Sequence, residues 1–230
     1  MAERIGDLIL SQRRLIADLS HELRTPLTRI DMAISCVEEG IDTRHFLPRI
    51  RRECNLMRGL VEDTLTLAWL ENEKPDLNAE TLDLTDLIHS ILDDARYEYP
   101  DHRICADLPD QAVLAGSSHR ALAQAIENVV RNACNYSPAG GSVEVRLVPE
   151  PGGYRLTVLD QGPGVPDDQL ERIFKPFYRG SATRDSVPDG HGLGLALTRR
   201  QVEATGGWVR ARNLERGGLA MDLWFPTSLL

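Results

Sequence analysis

The chain has 230 residues, of which 42% are hydrophobic and 27% charged, as in ordinary globular proteins. Its net charge of −9 at pH 7 argues against broad electrostatic binding to nucleic acid, so we expect no nucleic-acid partner. No apolar run reaches the roughly 18 residues that a membrane helix needs. The four cysteines form no Cys-x-x-Cys pair, which favours buried free thiols over disulfides or a zinc site.

Apolar residues recur in steps of three and four from Ile5 to Val37 and again from Leu47 to Ala68. This period of about 3.5 residues is typical of the seam of a coiled coil or helical bundle. A loop at Gly40 separates the two stretches, which therefore predict a hairpin of two long helices. A single hairpin leaves an apolar stripe on both helices. We expect two copies to bury it in a dimeric four-helix bundle, the alternative being packing against the rest of the same chain.

A proline interrupts the first predicted helix within LSHELRTPL, residues 19–27. Pro26 has no N–H, so the carbonyl of Glu22 loses its helical hydrogen bond. The preceding residue, His21, falls off the apolar seam and should face solvent. The weakened turn predicts a bend point beside His21, which we interpret as a place where the helix moves.

After a predicted linker at 73–78, strands and helices alternate to the end of the chain. Caps are expected at Thr85 or Asp86 for the first of these helices and at Ser117 or Ser118 for the second. The order predicts an α+β two-layer sandwich with helices on one face of a mixed sheet. The predicted elements are a strand and a helix within 81–99, short strands within 102–108 and 112–116, a helix over 117–135, a hairpin within 142–160, a helix over 193–204, and strands near 207–212 and 219–225.

Two polar patterns in this half of the chain can be interpreted either as ligand-binding features or as ordinary surface structure. Asn128 and Asn132 share one helix face, which suits a hard cation held through amide oxygens or simply a solvated surface. Asp160 ends an apolar strand and is followed by Gly162 and Gly164. That pattern is typical of an ordinary turn. It also suits a loop whose backbone passes close to a ligand, with the aspartate accepting a hydrogen bond from an amino group of that ligand.

A third pattern, DGHGLGLAL, places Gly190, Gly192 and Gly194 directly before a helix. Backbone N–H groups at such a helix start attract an anion. The segment lacks the ending of a P-loop and the preceding strand of a Rossmann fingerprint. The irregular stretch 173–190 before it is long enough to be a disordered loop or a lid, and its cations could reach phosphate oxygens. Its aromatic and basic residues are Phe174, Lys175, Phe177, Arg179 and Arg184.

Taken in order, Asn-x-x-x-Asn, Asp-x-Gly-x-Gly, Phe-x-Pro-Phe and Gly-x-Gly-Leu-Gly-Leu resemble the ATP-binding domain of sensor histidine kinases, type II topoisomerases and related ATPases. SHELRTPL resembles the phosphoacceptor box of the histidine kinases alone. The chain therefore resembles the cytoplasmic catalytic core of a bacterial two-component sensor kinase whose parent protein lies in the inner membrane. The implied domains are the end of a relay coiled coil (1–12), a dimerisation and phosphoacceptor domain (13–72), a linker (73–78) and an ATP-binding domain (79–230).

The resemblance implies that Asp160 accepts a hydrogen bond from the adenine amino group. It also implies that Asn132, helped by Asn128, holds Mg²⁺. One position departs from the family pattern, because Asn135 stands where a lysine or arginine is usual. Arg131, Arg179 or Arg184 could supply the missing cation. The full implied nucleotide site comprises Asn128, Asn132, Tyr136, Asp160, Gly162, Gly164, Lys175, Arg179, Gly190, His191, Gly192, Leu193, Gly194 and Leu195.

The resemblance also implies a catalytic set of His21, Glu22 and Thr25. His21 would be the phosphoacceptor, Glu22 would orient its ring, and Thr25 would help to dephosphorylate a partner response regulator. The rival interpretation is an ATPase clamp of the topoisomerase or chaperone type, which would need neither His21 nor phosphohistidine.

Overall fold

The computed structural model describes residues 2–40, 43–72, 80–180 and 190–227, and for residues 2–14, 43, 71 and 72 the backbone alone. The chain divides into two compact units, Met1–Trp69 and Leu70–Leu230. Within the described ranges, no helix is both long and apolar enough to cross a membrane. The linker predicted at 73–78 falls outside those ranges.

The first unit is a pair of long helices, α1 (Ala2–Glu38) and α2 (Thr43–Asn72). Gly40 follows α1 with a φ of 79°, in the left-handed region that glycine adopts without steric cost. Arg29 of α1 pairs with Glu53 of α2 at 3.5 Å, so the two helices lie side by side. The predicted helical hairpin is confirmed.

Part of the predicted seam is buried within the hairpin on α1, whereas on α2 the seam remains exposed or partly exposed, as expected of a stripe that a second copy would cover. On α1 the seam positions Leu15, Pro26, Ile30 and Ala33 are buried. On α2 each residue buried in the hairpin lies one position before a predicted seam residue. This helix has two adjacent stripes, and periodicity alone cannot tell which of them packs against α1. The buried α2 residues are Glu53, Leu60, Thr64 and Leu67, whereas Leu47, Cys54, Val61 and Leu65 are exposed.

The second unit contains three helices, seven strands and two short 3-10 turns within the described residues. In chain order they are β1 (Glu80–Asp83), α3 (Leu84–Glu98), β2 (Arg103–Asp107), β3 (Val113–Ser117), α4 (His119–Tyr136), β4 (Ser142–Glu150), β5 (Gly153–Leu159), the turns Asp167–Gln169 and Arg172–Phe174, α5 (Gly194–Ala204), β6 (Trp208–Asn213) and β7 (Leu219–Pro226).

The main sheet has the strand order β2-β4-β5-β7-β6. β2 pairs with β4 in parallel and the other neighbours are antiparallel, so the sheet is mixed. β1 and β3 form a separate antiparallel pair. The predicted α+β sandwich is confirmed, including the β4–β5 hairpin.

Alternate residues of the central strands are buried in one hydrophobic core with the helices. Val143, Val145 and Leu147 of β4 belong to it, as do Ile126 and Val130 of α4. Each fully buried aliphatic side chain stabilises the fold by roughly 1.5–3 kcal/mol. This core fixes α4 and β5, the two elements that carry Asn132 and Asp160.

The helix caps show where local pattern was sufficient. Ser118 caps α4, as predicted, by accepting from the backbone N–H of Ala121. The cap predicted at Thr85 or Asp86 is wrong, because α3 begins after Asp83. Asp83 Oδ1 accepts from the N–H of Thr85 and also from that of Ala112, 29 residues away, a tertiary contact that the sequence does not reveal.

Candidate functional site

Asp160 follows β5 with one carboxylate oxygen committed to the backbone. Its Oδ1 accepts from the N–H groups of Gly162 at 2.7 Å and Leu219 at 3.0 Å. Its Oδ2 has no hydrogen-bond partner among the described residues. Burial raises the pKa of this carboxyl group, and the two backbone hydrogen bonds oppose the rise. A fixed carboxyl group with one available oxygen can accept from a ligand's amino group.

The two glycines after Asp160 are required by close packing. A Cβ on Gly162 would lie 2.8 Å from the carbonyl oxygen of Tyr136. Gly164 has a φ of 72°, and a Cβ there would lie 2.8 Å from Asn213 Oδ1. The loop therefore passes against the end of α4, where partly buried Tyr136 lies, as the resemblance implies.

A third glycine of this region was not identified from the sequence. Gly218, in the turn between β6 and β7, has a φ of 100°, and a Cβ there would overlap the carbonyl oxygen of Asp160. The only signal was the pair Gly217–Gly218 between two predicted strands, which suggests no more than a turn.

The glycine-rich segment leads directly into the start of α5. Gly194 is the first residue of α5, and no side chain caps the preceding Leu193. The first N–H groups of the helix are therefore available to an anion, which the helix dipole also attracts. Gly192 has a φ of 72°, and a Cβ there would lie 2.9 Å from backbone atoms of Phe177 and Tyr178.

The two asparagines of α4 differ in what they contact. Asn128 Nδ2 donates to the carbonyl oxygen of Gly194 at 3.2 Å, which ties α4 to the start of α5. Asn132, one turn further along α4, is partly exposed and makes no side-chain hydrogen bond with the described residues. Its amide oxygen is thus available to a cation, and so is that of Asn128.

The segment between the two glycine motifs is anchored by an aromatic ring. Phe174 is buried, and the Arg199 guanidinium lies 3.9 Å from its ring centroid. Lys175 is exposed, and Phe177 has an unusual φ of 59°. The remaining predicted residues of this region, Arg179, Gly190, His191 and Leu195, are partly buried. Arg184 lies outside the described residues.

Asn135 and Arg131 contact α3 and its C-terminal end. The Tyr99 hydroxyl donates to Asn135 Oδ1 at 3.1 Å. Arg131 pairs with Glu98 at 2.8 Å and with Glu127 at 3.4 Å. These contacts argue against Arg131 as the cation that replaces the usual lysine or arginine.

On α1, His21 and Thr25 are exposed one turn apart, and Glu22 is partly buried. None of the three makes a side-chain hydrogen bond with the described residues. The hydroxyls of Ser20 and Thr28, in contrast, donate to carbonyls of their own helix. The hydrogen bond through which Glu22 would orient the His21 ring is not formed with the side chains in this arrangement. α1 continues through Pro26 without a break.

Other predictions concern cysteine and metal chemistry. All four cysteines are free, but only Cys134 is buried, and burial raises the pKa of its thiol to about 11. Cys54 is exposed, contrary to expectation. No group of three histidine, cysteine, aspartate or glutamate residues in the described part of the chain could hold a metal ion.

Two protein families match different parts of the chain. The His Kinase A (phospho-acceptor) domain matches residues 11–73. The Histidine kinase-, DNA gyrase B-, and HSP90-like ATPase family matches residues 117–229. The first match contains His21, and the second contains Asp160 and both asparagines.

Individual proteins agree with this division. The sensor protein PfeS of Pseudomonas aeruginosa is 40% identical over 231 residues, covering 99% of this chain and 50% of PfeS. The chain spans about half the length of the curated relatives it matches. Full-length ShkA in complex with AMPPNP is 26% identical with a TM-score of 0.68, covering 93% of this chain and 45% of ShkA. ThkA in complex with the response regulator TrrA, 21% identical, shares the fold with a TM-score of 0.77 over 98% of this chain and 64% of ThkA.

Fold and site together define an ATP-binding domain preceded by a phosphoacceptor helical hairpin. The chain belongs to the sensor histidine kinases of bacterial two-component systems and carries their catalytic core.

Proposed function

We propose that the chain uses ATP to phosphorylate His21 and then passes the phosphoryl group to an aspartate of a response regulator. The observation that carries the proposal is the state of His21. Its side chain is exposed and makes no hydrogen bond with the described residues, in the half of the chain that matches a phosphoacceptor domain. The second unit supplies the nucleotide site.

The reaction at His21 is a nucleophilic displacement. A neutral imidazole nitrogen forms a bond to the γ-phosphorus while the bond from that phosphorus to the β–γ bridging oxygen breaks, and ADP leaves. Glu22 accepts a hydrogen bond from the other ring nitrogen and so fixes the ring's orientation. Because this bond is absent in the structure, it has to form by side-chain rotation when the nucleotide approaches.

The nucleotide site has four parts. Asp160 Oδ2 accepts from the adenine amino group, and the N–H groups at the start of α5 receive the phosphates. The amide oxygens of Asn132 and Asn128 suit Mg²⁺, which neutralises charge on the transferring group. Lys175 and Arg179, from the segment before the glycine motif, supply further positive charge.

Three further proposals concern partners and setting. The exposed apolar residues of the hairpin support a homodimer built as a four-helix bundle. Thr25, whose hydroxyl is unbonded within the described residues, supports a second activity in which it orients water to dephosphorylate the regulator. The likeness to the sensor proteins PfeS and CpxA supports a parent protein anchored in the bacterial inner membrane, with this part in the cytoplasm.

The decisive experiment is incubation of the chain with Mg²⁺ and γ-labelled ATP. We expect an acid-labile, base-stable label that is lost in His21→Ala and kept in His45→Ala. His45 is the matched control because it is an exposed histidine of the same hairpin. ATP hydrolysis without protein label, equal in both variants, would instead indicate an ATPase clamp.

A further inference from the structure

Among the described residues, three side-chain hydrogen bonds join helices α4 and α5, and we call these three contacts the polar ladder. The ladder consists of Asn128 Nδ2 donating to the Gly194 carbonyl at 3.2 Å, Thr198 Oγ1 donating to the Ala125 carbonyl at 3.1 Å, and Gln201 Nε2 donating to Gln124 Oε1 at 2.7 Å.

The order of these contacts sets the direction of the two helices. Moving along α4 from Gln124 to Asn128, the partner on α5 moves backwards from Gln201 to Gly194, so the helices are antiparallel. The last contact of the polar ladder lies at the first residue of α5. Asn132 lies one turn further along α4 than Asn128. It therefore lies beyond the N-terminal start of α5, beside the segment that leads into that helix.

The α5 side chains of the polar ladder are buried, so their polar groups carry a desolvation cost, whereas Asn128 and Gln124 of α4 are partly exposed. Thr198 is 0% and Gln201 2% exposed. Gln201 Oε1 is buried with no hydrogen-bond partner among the described residues. Apolar side chains of similar size would avoid this desolvation cost. Helix packing alone therefore does not account for polar residues here, whereas directional hydrogen bonds give a defined relative position.

Thr198 is the central contact of the polar ladder. Its hydroxyl lies 3.1 Å from the Ala125 carbonyl of α4 and 3.0 Å from the Gly194 carbonyl at the start of its own helix. One side chain thus contacts both the asparagine-bearing helix and the anion-binding helix start.

We propose that Thr198 is a positioning residue for the nucleotide phosphates. By joining α4 to α5, its hydroxyl sets the separation between the Asn132 amide oxygen and the N–H groups at the start of α5. The cation and the phosphates have to be held together across that separation. The proposal rests on the proposed function, in which Asn132 holds Mg²⁺ and the start of α5 receives the phosphates.

Loss of the Thr198 hydroxyl should affect binding of the phosphates and binding of the adenine differently. Asp160 is held by backbone N–H groups of Gly162 and Leu219, and none of these residues belongs to the polar ladder. Loss of the Thr198 hydroxyl should therefore weaken binding through the phosphates and leave binding through adenine unchanged. A general loss of structure would weaken both.

The test compares variants of the whole chain by calorimetric titration with Mg–ADP, and by competition with adenosine. Thr198→Val keeps the size of the side chain and removes the hydroxyl, and Thr198→Ser restores it. Thr205→Val is the matched control, because Thr205 is equally buried directly after α5 but its hydroxyl donates to the Val202 carbonyl of α5 and not to α4. Thermal unfolding verifies that each variant is folded.

We expect the dissociation constant for Mg–ADP to rise roughly fivefold in Thr198→Val, the effect of one hydrogen bond, with adenosine unchanged. Thr198→Ser and Thr205→Val should match the wild type. Equal Mg–ADP affinity in Thr198→Val and wild type would overturn the proposal, and so would parallel losses for both ligands or an equal loss in Thr205→Val. A wild type that binds no Mg–ADP would contradict the proposed function instead.

Discussion

The two units differ in how completely they bury their own apolar residues. In the sandwich, helices and sheet enclose one continuous core, with side chains such as Leu156, Ile126 and Phe225 fully buried. In the hairpin, Ile16 and Leu65 remain 63% and 65% exposed. The sandwich can therefore fold as a complete domain, whereas the hairpin is one part of a core that needs a further surface.

Buried acids show a second contrast between the units. In the sandwich, backbone N–H groups bind one oxygen of Asp160 and leave the other available to a ligand. In the hairpin, Glu53 is buried with Oε2 unpartnered among the described residues. Burial and the neighbouring Glu62 also raise the pKa of Asp63 to about 6. Asp160 therefore has an oxygen free of protein hydrogen bonds within the described residues, whereas the acids of the hairpin affect its stability.

The largest expected effect is on dimerisation, through the exposed apolar residues of the hairpin. Leu65→Glu places a charge on each copy of the proposed dimer interface, where burial without a counter-ion is strongly unfavourable. We expect the dimer dissociation constant to rise by about a thousandfold, measured by analytical ultracentrifugation.

The control for this variant is Tyr97→Glu, since Tyr97 is 91% exposed on α3 of the sandwich. It should leave the dimer intact. Dimers of unchanged affinity in Leu65→Glu would show that the exposed stripe of α2 is not the interface.

The next effect tests the acid of the sandwich. Asp160→Asn keeps an oxygen for the N–H groups of Gly162 and Leu219 but turns an amide N–H₂ towards the adenine amino group. Two donors then face each other, so ATP affinity should fall about a hundredfold while the sandwich stays folded. Isothermal titration and near-UV circular dichroism measure the two quantities. Unchanged ATP affinity would remove Asp160 from the site.

A smaller effect concerns Asp63. Its folded-state pKa is raised from 3.8 to about 6, so between these pH values the folded chain binds more protons than the unfolded one. The free energy of unfolding should therefore fall as pH rises from about 4 to 6, and then level off. Asp63→Asn should remove this fall and gain up to about 1 kcal/mol above pH 6, since solvent screens a partly exposed carboxyl group.

Urea unfolding across pH 4 to 8 checks this profile. Glu62→Gln serves as the comparison, because it removes only the neighbouring charge and should give a smaller gain. A wild-type stability that rises from pH 4 to 6, with the same slope in Asp63→Asn, would contradict the assignment.

The smallest effect is expected at Arg131. Because this residue already pairs with Glu98 and Glu127, Arg131→Ala should change ATP affinity by less than about twofold and lower stability by roughly 0.5–1 kcal/mol. Arg179→Ala should weaken ATP binding more, because Arg179 lies in the segment between the two glycine motifs. A strong loss of ATP affinity in Arg131→Ala alone would identify it as the phosphate-binding cation.

Features fixed by local chemistry were predictable. The glycine-rich start of α5, the Ser118 cap and the alternating strands each depend on residues close together in sequence. The features that were missed depend on tertiary contacts. Asp83, which caps α3, also accepts a hydrogen bond from the N–H of Ala112. Asn128 contacts Gly194, 66 residues away. The buried face of α2 depends on which neighbour each apolar stripe meets, and periodicity carries no such information.

The turn between β6 and β7 has a consequence for how this sequence can change over evolutionary time. Gly218 touches no expected ligand, yet any side chain there would displace the carbonyl of Asp160. Selection on the nucleotide site therefore extends to the turn between β6 and β7, where Gly218 is buried against Asp160 while Arg216 is exposed. In a library of random variants, position 218 should be depleted of every residue except glycine, while its neighbour Arg216 varies.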